Sequence, residues 1–281
     1  MKRNQRIREV IIMKLGCSTV LFNQLDLYGA LQHIAWAGYD GAELALLGNW
    51  ARHIELNTNQ SYINEVKSTA RKQGLELFAI HTDVGSQPGE DKLISMTKML
   101  DVCLKLGIPV LTMHPGGRSG DEETTQREFE YTRKLSKEAE NRGITLAIKA
   151  HVGASVYNTA TLIQILDEID SPALGVTFDP THFYRAGEDP SKVVLRIGEK
   201  IVHAHFRDYL YPKQSLVTPE KQIPGRGACN FPQILKSLKN VGYNKAIDTL
   251  IIGAFTYPLS KQMGIAAEAR GYLNRCIQEL K

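Results

Sequence analysis

The stretch LYGALQHIAWAGYDGAELAL, residues 27–46, contains the pattern that decides the fold of this chain. Its first part places apolar side chains three and four residues apart, which is typical of a helix that packs by one face. The sequence Gly38-Tyr39-Asp40 then stops the helix, and an apolar strand begins at Gly41. Helix, glycine stop and buried strand therefore follow one another without a linker.

The same unit recurs along the chain. Apolar runs that read as strands begin near Lys14, Gly41, Leu75, Pro109, Ile144, Leu174, Ile201 and Ala246. Helical patterns separate the runs, and several end in a stop of the same kind at Gly38, Gly74, Gly107, Gly143 and Gly242. Repetition of this unit predicts an α/β fold, the (β/α)8 TIM barrel. A doubly wound open sheet is the competing fold, but no glycine-rich GxGxxG turn follows the first strand.

Length and composition suit one large soluble domain. The chain has 281 residues, of which 43% are hydrophobic and 23% charged, and no Pro- or Ser-rich linker divides it. We therefore expect a single barrel domain over residues 13–281, preceded by a basic, disordered N-terminal extension, MKRNQRIREVII at residues 1–12. The formal net charge of +4 is too small to indicate a nucleic-acid partner.

The sequence contains neither a membrane-spanning apolar stretch nor a closely spaced cysteine pair. No stretch approaches the ~20 consecutive apolar residues that cross a bilayer, so no membrane association is expected. The cysteines form no CxxC pair and indicate neither a zinc knuckle nor a disulfide framework. Both observations favour a reducing cytoplasm.

Strand parity places polar side chains inside the predicted barrel. In ITLAIKAH, residues 144–151, the isoleucines and the leucine face the helices, so Lys149 and His151 point inward. In IVHAHF, residues 201–206, Val202 faces outward. The polar residues that this division turns inward are Glu43, His81, His114, Lys149, His151, Asp179, His203 and His205. They lie at or near the carboxyl ends of their strands, the face on which barrel enzymes carry their chemistry.

A pocket with several imidazoles and a carboxylate can bind a metal. Asp179 is followed three residues later by His182, which adds another imidazole to the same end of the barrel. Two imidazoles and one carboxylate suit a divalent cation such as Mn, Zn, Co or Fe. Such an ion would polarise a substrate oxygen and acidify the adjacent C–H group.

The chain also resembles a known family from residue 13 to its C-terminus. The motifs are MKLGCST at the first strand, AGYDGAEL at the second, HPGG after the fourth, FDPTHFYRAGEDP after the sixth and IVHAHFRDY at the seventh. They resemble the sugar phosphate isomerase/epimerase superfamily, the xylose isomerase-like TIM barrels. The resemblance implies proton transfer next to the carbonyl of a small polyhydroxy compound: a sugar, sugar phosphate or cyclitol. It also implies one divalent metal, Mn, Zn, Co or Mg, and pairing into a homodimer.

In this family the metal is held by a glutamate of strand five, the Asp of a DxxH motif, the second His of strand seven and a glutamate of strand eight. Carried over, the Asp is Asp179 and the His is His205. The two glutamate positions fall on Lys149 and Leu250. Asp248 has the same parity as Leu250, so a different register would restore one carboxylate.

Other residues are candidates for the roles of the absent glutamates. His182 or His151 is a further candidate metal ligand, and both are candidate catalytic residues together with Lys149. Some dehydratase-type relatives are similar in having a histidine base at the position of His151. Three roles are open for Lys149. It acts as a base, it condenses with a carbonyl as a nucleophile, or it replaces the charge of the metal in a salt bridge with Asp179.

Candidate substrate-binding residues surround this centre. They are Glu43, His81, His114, Tyr184, Arg207 and Arg226. Arg226, between two glycines, is either an anion clamp for a sugar phosphate or part of a surface turn. Arg207 is also expected to form an ion pair with Asp208 at the rim of the barrel.

Three functions remain open at this point. The first is an isomerase, epimerase or dehydratase with a remodelled metal site, and the rich polar interior favours it. The second is a catalytically degenerate barrel that serves as a ligand-binding protein or partner subunit. The third, a relative of apurinic-site endonucleases, requires both absent glutamates and a basic groove for DNA.

Overall fold

The computed structural model describes residues 13–48, 50–84, 92–210 and 217–280. The predicted extension, residues 1–12, lies outside these ranges. Within them eight strands form the barrel: β1 Lys14–Ser18, β2 Gly41–Leu47, β3 Glu76–Thr82, β4 Val110–Met113, β5 Thr145–Ile148, β6 Leu174–Phe178, β7 Ile201–Phe206 and β8 Ala246–Thr249. A further strand, Ala51–Arg52, pairs antiparallel with the end of β2.

Helices follow each strand and cover the barrel from outside. Over the described ranges they are α1 Leu27–Trp36, α2 Gln60–Lys72, α3 Lys92–Leu106, α4 Glu122–Glu140, α5 Thr159–Ile169, α6 Pro180–Arg185, α7 Pro190–Ile197, α8 Phe231–Asn240 and α9 Leu259–Gln278. Both α6 and α7 lie between β6 and β7. The outward side chains of the strands, such as Leu146 and Ile148 of β5, belong to the core between strands and helices.

Parallel pairing closes the sheet into a ring. On one side β1 pairs with β2, Gly16 opposite Gly41, and on the other side with β8, Gly16 opposite Asp248. The remaining neighbours pair in parallel in chain order from β2 to β8. The predicted TIM barrel is confirmed, and closure gives every barrel strand a partner on both sides.

The boundaries follow the apolar runs and the glycine stops. Five strands begin at the predicted residue, and β3, β4 and β5 begin one residue later. The predicted stops have positive φ angles: 83° at Gly38, 69° at Gly74, 75° at Gly107, 65° at Gly143 and 78° at Gly242. Glycine adopts this left-handed conformation without the steric penalty that a Cβ atom imposes, so it ends these helices.

A bulge interrupts the alternation of inward and outward side chains at the amino-terminal end of β7. The pairing of β6 with β7 shifts between Val176 and Thr177. Val202 consequently packs with small side chains inside the barrel, namely Ala79, Val110 and Ala147. The prediction that Val202 faces the helices is wrong. The bulge inserts one residue into β7 and interrupts the alternation of side chains, so Val202 lies inside the barrel.

Side chains do not fill the amino-terminal end of the barrel completely. A cavity of about 660 Å³ lies at the amino-terminal ends of the strands, and Phe78, Val202 and His203 are among its lining residues. It lies at the opposite end of the barrel from the face that carries chemistry in barrel enzymes.

Gly16 of β1 provides a test of the packing near the axis. A Cβ atom added there would lie 1.8 Å from Asp248 Oδ1. We predict that Gly16→Ala lowers the free energy of unfolding by about 1–3 kcal/mol, the usual cost of overpacking. In the control Gly271→Ala the added Cβ meets nothing within 4 Å, and replacing a helical glycine should raise the free energy by about 0.5–1 kcal/mol. Urea unfolding measures both, and equal stabilities would contradict the assigned packing.

Candidate functional site

Six histidines form a continuous column of rings inside the barrel. Successive ring centroids are separated by 5.2 Å (His203 to His205), 4.8 Å (His205 to His81), 4.9 Å (His81 to His114), 5.1 Å (His114 to His151) and 4.2 Å (His151 to His182). They come from β3, β7, α6 and the residues that follow β4 and β5. The chain has eight histidines in total, so most of its imidazole is concentrated here.

At its inner end the column meets two buried carboxylates. His203 Nε2 lies 2.9 Å from Asp248 Oδ2 and 3.3 Å from Glu43 Oε2. Burial alone would lower the pKa of His203, but its contacts with Asp248 and Glu43 raise it to about 9. Burial raises the pKa of Asp248 to about 6. His203 is therefore the cation of this group and lies between two acids.

Glu43 connects this end to the next two histidines. Its Oε2 lies 2.5 Å from His205 Nε2, and its Oε1 lies 3.6 Å from His81 Nδ1. Burial alone would raise the pKa of Glu43, but the histidines around it, His205 first, lower it well below its usual range. Burial lowers the pKa of His205 to about 3 and lowers that of His81. A carboxylate thus faces two neutral imidazoles.

At the outer end Asp179 contacts two cations. Its Oδ2 lies 3.5 Å from Lys149 Nζ and 3.4 Å from Arg207 Nε, and its Oδ1 accepts hydrogen bonds from the backbone N–H and hydroxyl of Thr181. Burial alone would raise the pKa of Asp179, but Arg207, His182 and Lys149 lower it well below its usual range. Burial also lowers the pKa of Lys149 to about 8. Lys149 and Asp179 thus form the salt bridge that was one of the predicted alternatives for Lys149.

Arg207 turns into the site rather than toward Asp208. Its Nη2 donates to His182 Nε2 at 2.9 Å, so this nitrogen is an acceptor and His182 is neutral, in line with the lowering of its pKa by burial. The expected ion pair of Arg207 with Asp208 is wrong. Asp208 instead accepts hydrogen bonds from the backbone N–H groups of Tyr209, Gly225, Gly227 and Cys229. Three of these donors lie in one loop before α8 and the fourth is the residue next to Asp208, so backbone N–H groups take up the carboxylate.

Two half-buried histidines mark the part of the column that reaches solvent. His114 Nε2 and His81 Nε2 share a hydrogen bond of 3.0 Å. His151 Nδ1 donates to the carbonyl of Val152 at 3.0 Å, so its Nε2 carries the lone pair, and no described residue hydrogen-bonds to that nitrogen. Burial, Lys149 and Arg207 together lower the pKa of His151 to about 4. His151 is therefore a neutral imidazole with a free basic nitrogen.

Tyr184 and Arg226 lie outside the column. Tyr184 lines a cavity of about 410 Å³ beside α7 and α8. Arg226 is 46% exposed and forms a two-point ion pair with Glu268 of α9. Their assignment to substrate binding, like the other role assignments made from the sequence, stays a prediction.

The metal position that the resemblance implies does not suit a dication in this chain. Two cations already contact the Asp179 oxygen that would bind it, and a metal beside them would be repelled. Leu250 is fully buried among apolar side chains and has no ligand atom. Among the described residues, the groups with metal-binding spacing are Glu43, His81, His205 and Glu43, His203, Asp248. His205 belongs to one of them and Asp179 to neither, so a metal shared by Asp179 and His205 stays a prediction.

A sequence profile described as xylose isomerase-like TIM barrel matches residues 31–276. This protein belongs to the xylose isomerase-like TIM barrel family. None of its described helices combines the length and hydropathy that a membrane span requires.

Three known proteins resemble this chain at low sequence identity. An uncharacterized protein of Methanocaldococcus jannaschii, MJ1311, is 24% identical over 262 residues, covering 88% of this chain and 86% of that protein. An inosose dehydratase of Bacillus thuringiensis is 24% identical over 193 residues, and the match spans only 61% of either protein. The structure of an L-ribulose 3-epimerase superimposes with a TM-score of 0.76 at 15% identity and covers 96% of both chains, which is a likeness of fold.

The ion pairs around Asp179 can be tested by unfolding in this xylose isomerase-like barrel. Asp179→Ala leaves Lys149 and Arg207 buried without their carboxylate, so we predict a loss of about 3–5 kcal/mol in the free energy of unfolding. Adding Lys149→Met removes one of the two unpaired charges, and the double variant should be more stable than Asp179→Ala alone. Urea unfolding of the wild type, both single variants and the double variant measures the coupling. Strict additivity would contradict a direct interaction of Lys149 with Asp179.

Proposed function

We propose that this protein is an enzyme that moves a proton at the carbon next to the carbonyl of a small polyhydroxy compound, a sugar, sugar phosphate or cyclitol. Return of a proton to the opposite face of that carbon gives an epimer, and its delivery to the former carbonyl carbon, with a proton shift between the two oxygens, gives an isomer. Loss of a hydroxyl from the next carbon, which leaves as water with the abstracted proton, gives a dehydrated product. One observation carries the proposal: the hydrogen bond of His151 Nδ1 to the Val152 carbonyl leaves Nε2 as an acceptor at the half-buried end of the column, beside His182 and its partner Arg207.

The chemistry assigns separate tasks to the base and the cations. His151 Nε2 accepts the proton from the C–H group as a general base. The electrons of that bond move onto the carbonyl oxygen and form an enolate. Lys149 and Arg207 contact a single carboxylate, Asp179, so two positive charges stand against one negative charge. Fixed cations in a site closed to water stabilise such a developing oxyanion without reorganisation.

The relatives support this class of reaction. Dehydration of an inosose and inversion at carbon 3 of a ribulose both involve a carbon adjacent to a carbonyl, where a C–H proton is acidic enough to be removed. Both activities belong to proteins with low identity to this chain.

A ligand-binding barrel without turnover is the second candidate. The observation in its favour is the near-complete burial of Lys149, 1% exposed, together with its existing salt bridge to Asp179. A carbonyl oxygen must compete with that carboxylate for the ammonium group.

Solvent deuterium exchange tests the proposal without knowledge of the product. The protein is incubated in D₂O with inososes, ketoses and ketose phosphates, and proton NMR follows loss of the signal at the carbon next to the carbonyl. We predict enzyme-dependent exchange in one of these compounds. It should fall about a hundredfold or more in His151→Phe, which lacks the base, and fall strongly in Lys149→Met. His33→Phe, which removes a histidine of α1 outside the column, should exchange like the wild type.

Two results would contradict the proposed enzyme. Saturable binding of a compound that shows no exchange above the uncatalysed rate would support the ligand-binding barrel. Unchanged exchange in both His151→Phe and Lys149→Met would place the chemistry on other residues.

A further inference from the structure

The group formed by Glu43, His81 and His205 lies on strands and has no task in the proposed proton transfer. Its members come from β2, β3 and β7 and are 0–1% exposed. Their ligand atoms all lie within 4.8 Å of one another. Strands of a closed barrel hold side chains at fixed separations, so this spacing is a built feature of the interior.

Several polar atoms of this group lack a partner. Glu43 Oε1, His81 Nδ1 and His205 Nδ1 are buried and have no hydrogen bond. The hydroxyl of Ser18, whose residue lies opposite Glu43 in the β1–β2 register, also has none. A buried polar atom without a partner costs about 1–3 kcal/mol. A divalent cation binds a carboxylate oxygen and imidazole nitrogens together, so it would give these atoms the partner that they lack.

The separation of the donor atoms also suits an ion. Glu43 Oε1 and His81 Nδ1 face each other at 3.6 Å, beyond hydrogen-bond distance. Two donors that bind one ion at about 2.0–2.1 Å with tetrahedral angles lie about 3.3 Å apart. Small side-chain movements would bring these two atoms to that distance.

Glu43 shares its one protonated contact with a second acid. His203, the protonated histidine, lies between Glu43 and Asp248, whereas the ion-pair contacts of Lys149 and Arg207 are with Asp179. Lys149 acts on Glu43 through space, without a salt-bridge contact. Among the described residues, the other ion-pair partners of Glu43 are His81 and His205.

We propose that Glu43, His81 and His205 bind one divalent ion of the Zn, Co, Mn or Fe type. Two imidazoles and one carboxylate favour these metals over Mg²⁺ and Ca²⁺, which prefer oxygen ligands. The site shares only His205 with the ligand set that the resemblance implies, and it does not depend on the proposed function. In the neighbouring group of Glu43, His203 and Asp248, His203 Nε2 and both Asp248 oxygens also lack a hydrogen bond. This group is the weaker choice, because His203 Nε2 already lies within ion-pair distance of both acids.

Metal binding by defined variants tests the site without any substrate. Protein purified without chelators, and protein stripped and reloaded with Zn²⁺, Mn²⁺ or Co²⁺, is measured by elemental analysis. The d–d absorption of Co²⁺ reports the coordination number and geometry of the bound ion. We expect about one ion per chain, as for a single-ion site, a rise in melting temperature on loading, and at least a tenfold loss of affinity in His81→Phe and Glu43→Gln. Asp179→Asn and the control His33→Phe, outside the column, should bind like the wild type.

Each alternative has its own result. Loss of the metal in Asp179→Asn with retention in His81→Phe would place the ion at the position implied by the resemblance and overturn the proposal. Loss of the metal in Asp248→Asn with retention in His81→Phe would place the ion in the group of Glu43, His203 and Asp248, and would also overturn the proposal. Failure of all three metals to bind or to raise the melting temperature would overturn it as well. Circular dichroism confirms the fold of each variant, and His205→Phe replaces any variant that does not fold.

Discussion

Charge that cannot reach water is the constraint on which the interior of this barrel depends. Eight parallel strands enclose the axis, yet Glu43, Lys149, Asp179, Arg207 and Asp248 are all 3% exposed or less. A buried charge that loses its partner destabilises a protein by several kcal/mol, so the position of each of these groups is tied to that of an opposite charge. Asp179 contacts the two cations, and the other two carboxylates share His203.

Histidine is the side chain that makes this arrangement possible. A neutral imidazole has a donor on one nitrogen and an acceptor on the other, so it can contact acids, bases and other imidazoles without adding net charge. His203, between two carboxylates, carries a proton, whereas burial keeps His205 and His182 neutral. The column therefore passes from the acidic end of the interior to the cationic end through uncharged rings.

The sequence was sufficient to predict the barrel and most of the inward residues, because both depend on local periodicity. Strand parity needs only the alternation of side chains, and Lys149, His81 and His205 follow it. The side of Val202 could not be predicted, since it depends on a bulge in the pairing with β6. The short strand at residues 51–52 was also missed, because two residues contain no period.

Choice of partner was the least predictable property of the site. Arg207 and Asp208 are adjacent in sequence, but the backbone N–H groups of a returning loop bind Asp208, and Arg207 turns to Asp179. Asp248 has inward parity, but its contact with His203 depends on the registers of β7, β8 and β1 together. Such partnerships are set by three-dimensional packing, which no pattern in one segment contains.

On the resemblance to the family, Lys149 and Leu250 stand at positions where a glutamate is expected, and we infer that both differences make the barrel mouth more positive. A lysine in place of a glutamate would raise the charge by two units, the charge of a divalent ion, and Leu250 in place of a second glutamate would remove one more negative group. With Lys149 and Arg207 against Asp179 alone, the mouth stays positive without a metal. Positive charge remote from water favours an enolate or an anionic substrate group. On the proposals made above, this barrel divides two tasks between two groups: a metal ion held by Glu43, His81 and His205 opposes buried negative charge, and Lys149 and Arg207 stabilise negative charge on the substrate.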